Sequence, residues 1–595
     1  MWAPDAKCVT LQLQSAAGHA LPQRDLQRHA EGWHELTLDD LPAGTLYQYL
    51  IDQDLGVPDP ASRFNPQGPS GWSEIIDPES FEWQDDSWRG QPWHEAVIYE
   101  LHTGAFTAQG TFAAIEPRLP ELAALGVTMI ELLPVAAFGG QRGWGYDAVL
   151  PFAPHAAYGR PEDLKHLVQA AHRCGIGMLL DVVYNHFGPE GNYLPHYARS
   201  FFNTGVHTPW GSAINFEGAA GRHVRRFFIE NALYWLIEYH FDGLRLDAVH
   251  AIHDRSTTHF LAELANAVSQ GPARTRHVHL VLENANNEAH RLRCTADGQP
   301  LLSMAQLNDD FHHAAHVLLT GETDGYYVDF SSTPLRQLGR TLAEGFAFQG
   351  EPSAFAANQP RGEPSTDLPA TAFINFLQNH DQVGNRACGE RLSHLTEAPQ
   401  LRAALAILLL APQPPMLFMG EEYSAPQPFL FFCDYQGELG AAVSAGRRNE
   451  FARFAAFADE QSRQSIPGIP GIPGIPGIPD PNAMATFLGS KLRREDRERR
   501  PHSDWLEYTR TLLALRKSHV IPLVTRLRTG SATYRTHGQV LTVQWPVEDG
   551  GALILLANMQ DRIATADRKE ARLLYSTLAQ PQSELQPWEV RLLQS

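Results

Sequence analysis

The sequence predicts a multidomain α/β protein: a central (β/α)₈ barrel with an N-terminal β-sandwich and a C-terminal β-sandwich. Three observations predict it. At 595 residues the chain is too long for a single hydrophobic core. Between about residues 91 and 524 short apolar runs alternate with helical stretches, the pattern of parallel α/β architecture. On either side, in residues 1–90 and 525–595, the pattern changes to short alternating segments broken by Gly, Pro and Asp, which reads as antiparallel β.

The N-terminal strands are carried by Cys8-Val9-Thr10-Leu11-Gln12-Leu13 and Thr45-Leu46-Tyr47-Gln48-Tyr49-Leu50. Because the chain opens directly on Trp2-Ala3-Pro4, a first strand of this sandwich is expected to be missing or its edge unpaired. A polar stretch with Trp83, Trp88 and Trp93 leads into the barrel zone. Eight apolar runs there serve as barrel strands: Val97–Leu101, Met129–Leu133, Gly177–Val183, Gly243–Asp247, Val278–Glu283, Leu302–Leu307, Phe373–Gln378 and Pro415–Met419. The clearest helix runs from Val224 to Glu238, with Phe227, Phe228, Leu233, Leu236 and Ile237 at helical spacing. Val540–Trp545 and Leu553–Leu556 are the C-terminal strands. An Ile-Pro-Gly repeat at 466–479 is too short for a collagen-type triple helix and reads as an extended surface insertion.

Bulk properties narrow the function. A net charge of −20 argues against nucleic acid, whose phosphates require clustered Lys and Arg. Five scattered cysteines form no CxxC pair and no disulfide framework, which fits a reducing compartment. The N-terminus lacks a signal-peptide pattern, and the most apolar run, Leu405–Leu410, is stopped by Pro412 and Pro414, short of a membrane span. A cytoplasmic protein without membrane contact is expected.

Barrels of this class do their chemistry at the carboxyl ends of the strands. Those ends carry Asp181 to His186 on the third run, Asp247 and His250 on the fourth, Glu283 on the fifth, and His380 and Asp381 on the seventh. Residues two apart in a strand share a face, so Arg245 and Asp247 point the same way. A guanidinium beside a carboxylate favours the anion, while a nearby anion keeps a second carboxyl protonated. Two carboxyls in opposed environments are the equipment of glycosidic bond cleavage. Each residue alone has a plainer explanation, such as a helix cap for Asp247 or a hydrogen-bonded core histidine for His186, His250 and His380; in register on several strands, that explanation weakens. His312 and His316 have i,i+4 spacing, but an ordinary helix face explains them better than a metal site. Trp144, Tyr146 and Trp210 serve either as sugar platforms or as core.

Together these motifs resemble the α-amylase superfamily, glycoside hydrolase family 13, through DVVYNH (181–186), GLRLDAVH (243–250), LEN (282–284) and QNHD (378–381). The resemblance implies Asp247 as nucleophile, Glu283 as general acid/base and Asp381 as transition-state stabiliser. It also implies Arg245 as orienter of the nucleophile, His186 and His380 as sugar ligands, and Tyr146 as stacking tyrosine, with Trp144 and His250 beside them. YELHTGAFT (99–107), TPWGSAINFEG (208–218), LNDDFHHAAH (307–316) and FLQNHDQVGNRA (376–387) are similar to the members that cut the α-1,4 bond next to the terminal trehalose unit of maltooligosyltrehalose. In those members Asp309 and Asp310 are expected to read the substrate end. The resemblance further implies a maltooligosyltrehalose synthase acting upstream; it does not imply a physical complex with it. Although the asparagine matching Asn185 serves a calcium site in some relatives, the other features of that site are not evident, so no metal and no cofactor are expected. An α-1,4-glucan branching enzyme or an inactive glucan-binding protein are the alternatives. The Asp309–His316 stretch speaks against the first, and the complete carboxylate set against the second.

Overall fold

The computed structural model describes residues 1–294, 302–451, 477–565 and 571–595. Its centre is a closed barrel of eight parallel strands: β1 (Ile98–Leu101), β2 (Met129–Leu132), β3 (Gly177–Val182), β4 (Gly243–Leu246), β5 (His279–Leu282), β6 (Ala305–Leu307), β7 (Phe373–Phe376) and β8 (Pro415–Phe418). These lie within the eight apolar runs read from the sequence. The strands pair in chain order, and β8 closes on β1 with Met416 opposite Ile98. Every residue of β1 to β8 is buried, because helices cover the outside and side chains fill the inside.

The two-residue period of the strands creates layers within the barrel. Ile98, Met129, Leu179, Val281, Ala305, Leu307, Ile374 and Met416 belong to one apolar cluster plugging the amino-terminal end. Two residues further along β1 to β4 stand Glu100, Glu131, Asp181 and Arg245, all at most 2% exposed. The register puts Glu100 opposite Glu131 and Asp181 opposite Arg245. An apolar floor therefore carries a buried charged layer, on which the loops at the carboxyl ends build the site.

The helix expected at Val224–Glu238 begins earlier, spanning Gly218–Ile237. Its buried face uses Val224, Phe228, Asn231, Ala232 and Trp235, whereas Ile237, expected on that face, is 56% exposed. Asn231 is drawn inward by hydrogen bonds with Tyr184 and the Pro151 carbonyl.

In the N-terminal region the strands Val9–Gln14 and Leu46–Ile51 pair antiparallel. Val9–Gln14 also pairs with Ala20–Asp25, so it is not an open edge. The C-terminal strands form one five-stranded antiparallel sheet ordered Thr533–His537, Val540–Pro546, Ala552–Asn558, Val590–Gln594, Arg572–Ser576. Among the described residues, one face of it is covered by helices and the other by the segment bridged at Ala564 and Leu585. Trp545 donates to the Leu342 carbonyl of the helix Pro334–Glu344 at 3.0 Å, and Gly339 on that helix lets Tyr534 and Leu541 approach where a Cβ would stand 2.7 and 2.8 Å from them. The Ile-Pro-Gly tract lies, up to residue 476, outside the described residues. Among the described residues no helix is long and apolar enough to cross a membrane.

Candidate active site

Arg245 organises the site. It is wholly buried, and its Nη1 donates to Asp181 at 2.9 Å and to Asp247 at 2.7 Å, while Nη2 lies 2.8 Å from Glu283. The chain leaves β4 at Asp247 and turns at once, with Ala248 in the left-handed region at φ 38°. That conformation is costly for alanine and characteristic of functional sites. It aims the Ala248 N–H at Glu283 Oε2, 3.0 Å away.

Neighbouring strands thus present two carboxyls in opposite states. Burial opposes ionisation of Asp247, but Arg245, Asn185 and His186 outweigh it and hold the group below the usual carboxylate range. Asn185 donates to both the carbonyl and Oδ2 of Asp247, each at 2.8 Å. Glu283 is pushed well above that range by burial first, against the pull of Arg245, and then by the charges of Asp247, Asp381 and Asp309.

Asp381 is the second residue of the short helix His380–Gly384 beyond β7, which Asn379 caps, and it remains 37% exposed at its side chain. His380 Nε2 lies 3.6 Å from it. The Tyr146 hydroxyl donates to Asp181 at 2.6 Å and meets His380 Nε2 at 2.7 Å, with the two rings stacked at 5.1 Å. Gly145 makes this placement possible: its φ is 100°, and a Cβ would stand 2.2 Å from the Pro134 carbonyl oxygen. His186 hydrogen-bonds Asn185 and stacks on Trp210, which is 47% exposed. His250 lies in the turn after β4, where its Nδ1 accepts from Ala285 N–H at 3.4 Å and burial lowers its pKa.

The two aspartates expected to read the substrate end separate. Both begin the helix Asp309–Thr320 beyond β6, and adjacent helix positions do not share a face. Asp309 is part-exposed and electrostatically close to Asp381 and Glu283; burial raises its pKa to about 7, opposed by Arg361 and assisted by Asp310 and Asp381. Asp310 is fully buried and committed. It pairs with Arg361 at 2.8 Å and accepts from Asn287, Ala347 N–H and Phe348 N–H at 2.9 to 3.0 Å. That corrects its expected role as a substrate ligand: Oδ2 already accepts three protein hydrogen bonds and Oδ1 is paired with Arg361.

Trp144 is corrected likewise. It is 7% exposed, donates to the Leu430 carbonyl at 3.0 Å, stacks on Phe429 and buttresses His380 edge-on. His312 and His316 are hydrogen-bonded on a helix face, to Leu377 O and Tyr327, and to Glu322. Among the described residues no group of three or more His, Cys, Asp and Glu is placed to hold a metal. Sequence reasoning missed Glu100 and Glu131 as parts of the charged layer. The signal was present, since each is a lone acid inside an otherwise apolar strand, IYEL and MIEL.

Residues 63–205 match the model of the α-amylase catalytic domain, and 529–592 match a domain of unknown function, DUF3459. A malto-oligosyltrehalose trehalohydrolase from Deinococcus radiodurans is 42% identical over 540 residues, 89% of this chain and 84% of that one. The chain belongs to the malto-oligosyltrehalose trehalohydrolase family. The family member from Saccharolobus solfataricus is 37% identical over 90% of this chain and 87% of its own. Similarity to a 1,4-α-glucan branching enzyme from Burkholderia thailandensis, 35% identical, covers 42% of this chain and 32% of that one. Among solved structures, a candidate α-amylase from Salmonella typhimurium superposes with a TM-score of 0.93 at 42% identity, covering 100% of this chain and 97% of that one. A pullulanase from Anoxybacillus, TM-score 0.69 at 18% identity over 100% of this chain and 85% of that one, shares the fold.

Proposed function

We propose that this trehalohydrolase-family chain hydrolyses the α-1,4-glucosidic bond next to the terminal trehalose unit of maltooligosyltrehalose, with retention, releasing trehalose and a maltooligosaccharide. The observation that carries the reading is Arg245, which reaches an ionised Asp247 and a protonated Glu283 from one guanidinium. Retaining glycosidases keep their two carboxyls about 5 Å apart, and sharing one guanidinium is a way to hold them that close.

In this mechanism Asp247 attacks the anomeric carbon while Glu283 gives its proton to the departing trehalose oxygen. Glu283, now a base, takes a proton from water, whose oxygen displaces Asp247 and restores both groups. Asp381 stabilises the sugar between the two displacements, while Tyr146, His186 and His380 hold it, with Trp210 as an outer platform. Asp309 and His250 border the leaving-group side. No cofactor takes part.

The flanking β regions, 1–90 and 525–595, support the barrel of 91–524 in this reading. The cysteines described are all free, which supports a cytoplasmic setting, where a maltooligosyltrehalose synthase supplies the substrate.

The test is product analysis with maltotriosyltrehalose beside maltopentaose of equal length. Rapid release of trehalose with little attack on maltopentaose is expected. Equal hydrolysis of both would reduce the function to that of a general α-glucan hydrolase, and a glucan product with new branches would replace hydrolysis by transfer.

A further inference from the structure

Glu100 lies outside the roles assigned so far, yet it makes the most specific contacts in the charged layer. Its backbone carbonyl accepts from Met419 N–H across the β8–β1 seam at 2.9 Å. Its two carboxylate oxygens both turn to one residue. Oε2 accepts from the His380 backbone N–H at 3.0 Å, and Oε1 meets His380 Nδ1 at 2.6 Å. Both side chains are 1% exposed, so neither water nor salt competes for these bonds.

The hydrogen atoms can be followed from partner to partner. The Tyr146 hydroxyl gives its only hydrogen to Asp181, so toward His380 Nε2 it offers a lone pair, which requires a hydrogen on Nε2. A carboxylate at Nδ1 requires one there too. We propose that Glu100 is a positioning residue that holds His380 as a doubly protonated imidazolium, a fixed cation beneath Tyr146 and beside Asp381. The proposal rests on the glycosidase reading above for its catalytic meaning, though not for its structural content.

The surroundings support it. The groups facing His380 are Glu100 and His102 from β1 and its end, Glu131 from β2, Tyr146, Asp181 from β3, Arg245 from β4, and Asp381 beside it. The guanidinium of Arg245 is already divided among Asp181, Asp247 and Glu283, leaving Glu100 to seek another cation. His102 is kept neutral by burial, its pKa lowered to about 4. Burial, and then the charge of Glu100, raises Glu131 to about 8. Burial also works against a charged His380, but Asp381 and Glu100 reverse that and raise it to about 10.

Neutron diffraction from crystals of the perdeuterated parent enzyme at neutral pH tests this without substrate. Deuterium on both Nδ1 and Nε2, with none on Glu100, is the expected result. A bare ring nitrogen, or deuterium on Glu100, overturns the proposal whatever the substrate proves to be. In kinetics, Glu100→Gln keeps the size and removes the charge. It should lower kcat by about 100-fold, the scale of losing one preorganised donor, with KM nearly unchanged and the alkaline limb of the pH profile drawn toward neutrality. Glu100→Asp should restore the shape of that profile. A folded Glu100→Gln enzyme with the parent's pH profile overturns the assignment. If that variant does not fold, the neutron result on the parent decides alone. Failure of the trehalose-release test would change the substrate and leave the proton positions on His380 as they are.

Discussion

Arg245→Gln should move the acid limb of activity upward. The substitution removes the one cation shared by Asp181, Asp247 and Glu283, at contacts of 2.7 to 2.9 Å. With charge centres roughly 4 Å apart and an effective dielectric of about 20, each pair is worth about 4 kcal/mol. At about 1.4 kcal/mol per pH unit that corresponds to nearly three units for Asp247. Asn185 and His186 remain as partners, so a rise of about two units is the working figure. Asp247 reacts as the anion, so activity is lost first on the acid side. Glu283 already titrates high, and losing Arg245 raises it further, so the alkaline limb should not fall. The assay is kcat/KM for maltotriosyltrehalose from pH 4 to 9, with circular dichroism to confirm folding. Stability carries the same sign. Unpaired buried carboxyls have raised folded pKa values, so the stability deficit, about 3–5 kcal/mol for a broken buried network, should grow as pH rises. A folded variant whose acid limb stays within about half a unit of the parent would refute the claim that Arg245 keeps Asp247 ionised.

Glu283→Gln should lower kcat on the natural substrate by about 10²- to 10⁴-fold while sparing binding, and an α-maltosyl fluoride, whose leaving group needs no proton, should lose far less; activity within about tenfold of the parent would remove Glu283 as the acid. Asp310→Ala should cost about 3 kcal/mol of stability, seen as a lowered melting temperature, because it strands the half-buried Arg361 and two buried backbone N–H groups, whereas Asp309→Asn should change KM with little effect on melting. Trp210→Ala removes a half-exposed ring stacked on His186 and should raise KM about five- to tenfold, the scale of one aromatic contact of about 1 kcal/mol, without altering the melting temperature. His172, buried between Asp85 at 2.7 Å and Asp242 at 3.0 Å, opposes its own burial through those two partners and has a raised pKa. Its stabilisation is fully present below its unfolded value and fades as pH rises through the folded one, so His172→Ala should lower the melting temperature more at pH 5.5 than at pH 8.5.

Part of this protein was determined locally. The eight barrel strands follow from apolar runs bounded by polar tips, since a strand buried on both faces is predominantly apolar. Asp247, Glu283 and Asp381 followed from lying at the ends of such runs, and Arg245 from its two-residue spacing to Asp247. Other features depend on contacts between residues far apart in the chain. Glu100 meets His380 across 280 positions, and no local pattern reports which strand lies beside which side chain. Asp309 and Asp310 are adjacent in sequence and similar in chemistry, but the helix they begin turns one toward the site and the other toward Arg361. Trp144 and Tyr146 were equal as sugar platforms until Gly145 turned one into the core and the other against Asp181. The C-terminal strands are as apolar as those of a sandwich, but that specifies only that their faces are covered. Whether a sheet or a helix covers one of them was decided by the barrel helix Pro334–Glu344, whose Gly339 allows the close approach.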